Sequence, residues 1–264
     1  MNRVAIELVK LELSERLRNK WVLLTSLVFA VLSVCLAFYV DRNDMDGSVL
    51  APSLVTLNSL LIPLVALVLG YDSIIGEKER QTMGMLLTLP ISRTQFVLAK
   101  FVARFLSLTI ALLLGFLLSM LFASSKYYLV FVQLLVPSIL MGASFLSISL
   151  LVSTLSKSVS QAASLIVFLW FGLVLFYDLG LIGLMVSSAG HIPVFLISLL
   201  VLCNPAGLYR LTMLVSFSGS EIYESFGLDY ELPGPLFISL LSFVLIICPL
   251  LLSIFYFNRA GSIK

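Results

Sequence analysis

The stretch GYDSIIGEKERQTMGMLLTLPISRTQF, residues 70–96, separates two long apolar runs and places Glu77, Lys78, Glu79 and Arg80 in a chain that otherwise avoids charge. From Glu77 to Leu87 the residues are good helix formers, with Met83, Leu86 and Leu87 apolar at helical spacing and the charges at the N-terminal end. Carboxylates there suit the positive end of a helix dipole. Pro90 ends the pattern, because the residue before a proline is pushed out of helical geometry. Ser92 and Gln95 then have the spacing of a capping box, and Ile91 with Phe96 that of a hydrophobic staple, so a new helix is expected from Ser92 or Arg93 into the next apolar run. The short helix between presents Met83, Met85, Leu86, Leu87 and Leu89, too apolar to be left facing water. Two covers satisfy it: the membrane interface with neighbouring spans, or a groove in a cytoplasmic protein, for which methionine and leucine are suitable anchors.

The setting of this stretch follows from composition. Of 264 residues, 60% are hydrophobic and 11% charged, and the mean hydropathy is +1.12, values of an integral membrane protein. A net charge of +2 with basic residues scattered near span ends excludes a nucleic-acid partner. A spanning helix needs about 20 apolar residues, and 21–40, 51–71, 101–124, 127–155, 162–186 and 236–257 qualify. The run 193–203 is about half that length and is expected to be re-entrant or interfacial within an outer segment, 187–235.

Charge placement orients the spans. Arg3, Lys10, Arg16, Arg18 and Lys20 precede the first, Lys78, Arg80, Arg93, Lys100 and Arg104 lie between the second and third, and Lys157, Arg259 and Lys264 have the same parity. The acidic loop DRNDMDGS and the outer segment, with Glu221, Glu224, Asp229 and Glu231 against Arg210 alone of Lys and Arg, belong to the other side. The expectation is an all-α integral membrane protein of about six transmembrane helices in the plasma (inner) membrane, one domain over 1–264, both termini cytoplasmic. In residues 1–20, Ile6, Val9, Leu13 and Leu17 form an apolar stripe beside Arg3, Glu7, Lys10, Ser14 and Arg18, an amphipathic helix expected to lie along the inner membrane surface. Its charges exclude a secretory signal, so no cleaved leader is expected.

Few polar residues enter the spans. Asp178 lies in the outer half of span five, where a carboxylate is a functional candidate by default, although a structural hydrogen bond is the favoured role. Asp72 is expected at the interface near Arg93 or Lys100. Asn204 and Pro205 mark a chain reversal or helix start, followed by Tyr209 and Arg210. These four are candidates for an outer gate or an extracytoplasmic contact, against the plainer role of a capped turn. One histidine, His191, and methionines without a ladder spacing leave no metal site. Cys35, Cys203 and Cys248 are read as small apolar fillers. Gly142, Ala143, Ser144, Ser147 and Ser149 in span four favour close helix approach.

The segment EKERQTMGMLLTLPISRTQFVLAKF resembles the E-x-E-x-x-T-x-x-x-L-L-x-x-P-x-S/G-R pattern of type-2 ABC exporter permeases, followed by a lysine opening the third span. Glu77, Glu79, Thr82, Leu86, Leu87, Pro90, Arg93 and Lys100 fall in matching places. The resemblance implies that residues 72–92 are a coupling segment inserted into a groove of an ATPase subunit, with Met83 among the contacts. ELSERLRNKWVLLTSLVFAVL, VFLWFGLVLFYDLGL and LCNPAGLYRLTMLVSFSGS resemble, in order along essentially the whole chain, the permease of the nitrous oxide reductase maturation transporter, the NosY type. It departs at Arg80–Gln81, where a small or glycine-rich pair is usual, and at Ala206–Gly207, where an acidic residue is. Implied are a homodimer of permeases, a cytoplasmic ABC ATPase subunit that binds ATP and Mg, and a periplasmic accessory protein. The cargo implied is a sulfur-containing species for a copper enzyme. The chain has no phosphate-binding loop and no cofactor of its own, so it is expected to be a permease and not an enzyme. The alternatives are a lipid, drug or peptide cargo, or a secondary transporter, for which paired intramembrane charges are missing from the sequence pattern.

Overall fold

A computed structural model describes residues 3–18, 20–43, 47–88, 90–187, 194–218 and 235–260. Outside the described residues lie His191, Leu89 and the acidic residues of 219–234, and the side chain of Leu87 is not described either. The elements are α1 (Arg3–Arg18), α2 (Trp21–Arg42), α3 (Gly47–Gly70), α4 (Ile75–Glu79), α5 (Met83–Leu87), α6 (Arg93–Phe122), α7 (Tyr128–Leu155), α8 (Val159–Trp170), a π-helical turn (Phe171–Phe176), α9 (Tyr177–Ser187), α10 (Val194–Cys203), α11 (Pro205–Ser218) and α12 (Pro235–Ala260). Among the described residues, 6 helices are long and apolar enough to cross a membrane: Val22–Arg42, Val49–Glu79, Arg93–Phe122, Ser125–Leu155, Val159–Ser187 and Phe237–Arg259. They coincide with the six expected spans. The helix opening at Arg93 has both arms of the capping box formed by Ser92 and Gln95, which explains why α6 starts well before its apolar part.

Lipid tails are as apolar as leucine, so these helices associate through close packing and hydrogen bonds rather than through a hydrophobic drive. The small residues of α7 supply both. Ser149 Oγ donates to the Leu67 carbonyl of α3 at 2.6 Å, and Thr154 Oγ1 and Ser253 Oγ of α12 lie 2.7 Å apart. A Cβ added at Gly70 would sit 2.7 Å from Ser149 Cβ. We expect Gly70→Ala to lower stability by about 1–3 kcal/mol through this overpacking, read as a lower melting temperature in detergent.

On α1 Ala5, Leu8, Val9 and Glu12 are packed inward, which brings the Glu12 carboxylate to cations of α6, and Ile6 and Leu17 of the expected stripe are left uncovered by the protein. One expectation is corrected. Cys35, Cys203 and Cys248 are all exposed rather than core fillers, because each lies on the outward face of its helix.

Candidate functional site

Between α3 and α6 the chain is tied to the spans at several points. The backbone N–H groups of Ile74 and Ile75 donate to Ser153 Oγ of α7 at 2.9 and 3.1 Å. The helix expected over 77–87 does not form as one piece. Gln81 has φ 58°, a left-handed conformation that breaks the run into α4 and α5, and the Thr82 hydroxyl donates back to the Glu77 carboxylate across the break. Glycine adopts that φ without strain, whereas glutamine does so at a cost.

Each glutamate of the E-x-E pattern is held by another helix, Glu77 half-buried and Glu79 at the exposed surface. Glu77 accepts from Lys100 Nζ of α6 at 2.6 Å. Glu79 accepts from the Val159 backbone N–H at 2.7 Å and so caps α8 beside the N-cap Ser158. Met83 and Leu86 are half-buried with Ile91 against a cluster that contains Ile74, Phe96 and Phe257. Arg93 Nη1 reaches the Phe257 carbonyl of α12 at 3.5 Å. Met85, by contrast, is 71% exposed at the tip of α5, and Pro90 is exposed beyond it.

Behind this segment lies a buried ion cluster. Lys100, 1% exposed, bridges Glu77 to Glu12 of α1. Arg104 pairs with Glu12 at 3.3 Å and with Asp72 at 3.5 Å, and its Nε donates to the Leu69 carbonyl at 3.0 Å. Arg16 completes the set on Asp72 at 3.2 Å. Three carboxylates thus meet three cations, and a polar cavity of about 150 Å³ opens beside them, lined by Glu12, Arg16, Asp72, Glu77, Arg80 and Arg104. Asp72 is therefore corrected: its partners are Arg16 and Arg104, not Arg93 or Lys100, because it ends α3 on the side facing α1.

The second constellation sits at the other end of the bundle. α10 and α11 are half-length helices broken at Asn204, whose Oδ1 accepts the Ala206 N–H at 3.1 Å while Pro205 occupies the first helical position. Asn204 Nδ2 donates to the Leu173 carbonyl at 2.7 Å. Arg210 donates to the Asp178 carboxylate and to the Val174 carbonyl at 3.4 Å. Leu173 and Val174 belong to the π turn, a local distortion that presents carbonyls sideways to α11. Tyr177 closes the set by donating to the Leu200 carbonyl at 2.5 Å. On the opposite face of α11, the Tyr209 hydroxyl accepts from Asn58 Nδ2 at 3.0 Å and from Ser138 Oγ at 3.3 Å, midway along α3 and α7. A Cβ at Gly207 would meet the Val201 carbonyl oxygen at 2.6 Å. The turn leaves no room for a side chain at position 207.

Residues 6–262 match the family described as ABC-2 family transporter protein. The chain belongs to the ABC-2 transporter family. This ABC-2 protein is 36% identical over 237 residues, 84% of its length and 86% of the relative's, to the "Probable ABC transporter permease protein NosY" of Pseudomonas aeruginosa. It is 37% identical over 249 residues, 89% of its length and 90% of the relative's, to the protein of the same description in Stutzerimonas stutzeri.

In this ABC-2 protein the residues singled out from sequence fall into three groups. Glu77, Glu79 and Arg93 hold the segment to the spans with Thr82 on the Glu77 carboxylate, Met83 and Leu86 half fill the seam behind it, and Asn204, Arg210 and Asp178 tie the hairpin to span five while Tyr209 joins α3 and α7. Glu12 and Arg104 were missed. A carboxylate continuing the Ala5–Leu8–Val9 row at helical spacing was the signal for Glu12, and a cation one turn beyond Lys100 was the signal for Arg104.

Proposed function

We propose that this chain is the permease subunit of an ABC transporter, present as two copies, each docked through α4 and α5 on a separate cytoplasmic ATPase subunit that binds ATP and Mg. In this reading both termini are cytoplasmic, α1 lies along the inner membrane surface, and α10–α11 form the outer gate. The observation that carries it is the anchoring of Glu77 and Glu79 on neighbouring helices. Through Lys100 and the Val159 N–H they bolt the exposed tip to α6 and to span five, so a push on Met85 moves both helices together. Span five in turn carries the outer hairpin through Asn204, Tyr177 and Arg210. Motion at the ATPase thereby reaches the far side without passing through a loop.

Span five is also the face for the second copy. Only 11% of its most apolar window is buried, against 28% to 56% for the other five spans. Two such faces, with Phe168 and Phe176 exposed, pack against each other around the transport path. The full-length similarity to proteins described as NosY supports a cargo for nitrous oxide reductase maturation, a sulfur-containing species delivered toward a copper centre with a periplasmic accessory protein on the outer segment.

Affinity purification of the chain in mild detergent tests the assignment. A co-purifying ATPase with a Walker motif, together with a soluble periplasmic protein, supports it, and absence of any ATPase overturns it. Met85→Glu is expected to reduce ATPase retention by about a hundredfold, because an unpaired charge buried in a docking groove costs about 3 kcal/mol. The exposed position predicts an unchanged melting temperature for this variant. Full retention by Met85→Glu places the docking surface elsewhere.

A further inference from the structure

An apolar groove lies between spans one, two and three. It measures about 230 Å³, its walls are Leu24, Val28, Leu61 and Leu64, and its floor is Phe29 and Leu108. Phe29 and Leu108 are buried, whereas Leu24, Val28 and Leu64 are exposed at its rim, so the groove opens sideways into the bilayer. Its depth follows from the helices that form it. Leu24 is one turn from the start of α2, and Leu64 and Val65 are fewer than two turns from the end of α3. The groove therefore occupies the leaflet on the side of the N-terminus.

We propose that this groove holds one acyl chain of an anionic phospholipid, with the lipid phosphate engaged by Arg18 and Lys20. Both cations are exposed, and Lys20 lies one helical turn from Leu24, its carbonyl accepting the Leu24 N–H at 2.9 Å. That spacing, roughly 6 Å along the axis, is the step from the acyl region to the phosphate level. An apolar chain gains little by leaving one hydrocarbon environment for another, so selectivity comes from the headgroup. Each cation near a membrane surface favours an anionic lipid by roughly fivefold, and two together by more than tenfold. A second copy of this chain is not the occupant, because span five offers the broad unburied face and the groove is narrow and floored by buried side chains.

Nanodiscs of one symmetric composition, doped with a phospholipid that carries a photoreactive group in its acyl chain, test the assignment on the full chain. The probe is a phosphatidylglycerol in one series and a phosphatidylcholine in the other. Expected is labelling concentrated in the peptides of residues 24–29, 61–65 and 108–112, with roughly tenfold preference for phosphatidylglycerol. The double variant Arg18→Gln with Lys20→Gln abolishes that preference while keeping the labelled positions. Leu61→Trp, which fills the groove, removes the label at all three peptides with either probe. Label spread evenly over the exposed faces of α2, α9 and α12 overturns the proposal, as does a headgroup preference that survives the double variant. Because both leaflets have one composition, the outcome does not depend on which side is cytoplasmic or on ATPase docking.

Discussion

Replacing Lys100 with methionine is expected to destabilise the protein by about 3–5 kcal/mol and to release α4 from the membrane helices. Lys100 is the common partner of Glu12 and Glu77. Methionine matches the lysine stem in size but leaves both carboxylates facing apolar surroundings that include the Phe96 ring, 5.5 Å from the ammonium. Arg104 can still serve Glu12 but is already shared with Asp72. The size of the loss reflects stranded charge and not the net worth of the pairs, so neutralising the partners reverses it. Lys100→Met combined with Glu12→Gln and Glu77→Gln is expected to recover most of the melting temperature. Melting curves of the single and triple variants in detergent decide the matter. A single variant as stable as the parent, or a triple variant no better than the single, refutes the account.

Removing Asp178 has the second large effect. The carboxylate lies more than two turns inside the end of α9 at Ser187, in the outer half of span five, where a stranded arginine costs less than the roughly 2.5–3.5 kcal/mol of the bilayer centre. About a third of each side chain of the pair is exposed, 32% for Arg210 and 34% for Asp178, so the expected loss for Asp178→Ala is about 2 kcal/mol. The loss is local, because Tyr209 still ties α11 to Asn58 and Ser138. The backbone amides of α10 and α11 are expected to exchange with solvent on the order of thirtyfold faster, while those of α3 and α7 keep their protection. The exchanged pair, Asp178→Arg with Arg210→Asp, restores most of the protection. Uniform acceleration across all helices, or none in α11, refutes a latch at this position.

Much of the architecture was legible because a bilayer is a simple solvent. Backbone groups must be satisfied within each helix, so length and hydropathy set the number of spans, and the Ser92–Gln95 capping box set the start of α6 before any packing was considered. The same simplicity hid the interior. Gln81 is a good helix former locally, and the break there follows from the pull of Thr82 toward Glu77 and the anchoring of Ile74 and Ile75 on Ser153. Asp178 and Arg210 were each singled out, but one was assigned to a span and the other to an outer segment. Nothing in a linear pattern places them within bonding distance.

The sequence by itself determined an all-α membrane protein, its six spans, the short polar-to-apolar segment after span two and the half-length run before Asn204, since these depend on hydrophobic length, proline and capping chemistry acting over a few residues. Only the tertiary structure decided that Glu12, Glu77 and Asp72 share Lys100, Arg104 and Arg16, and that the π turn of span five presents its carbonyls to Asn204 and Arg210. Those contacts join residues distant in sequence, and their geometry is set by which helices approach closely enough at Gly70, Ser149 and Gly207 to bring the charges together.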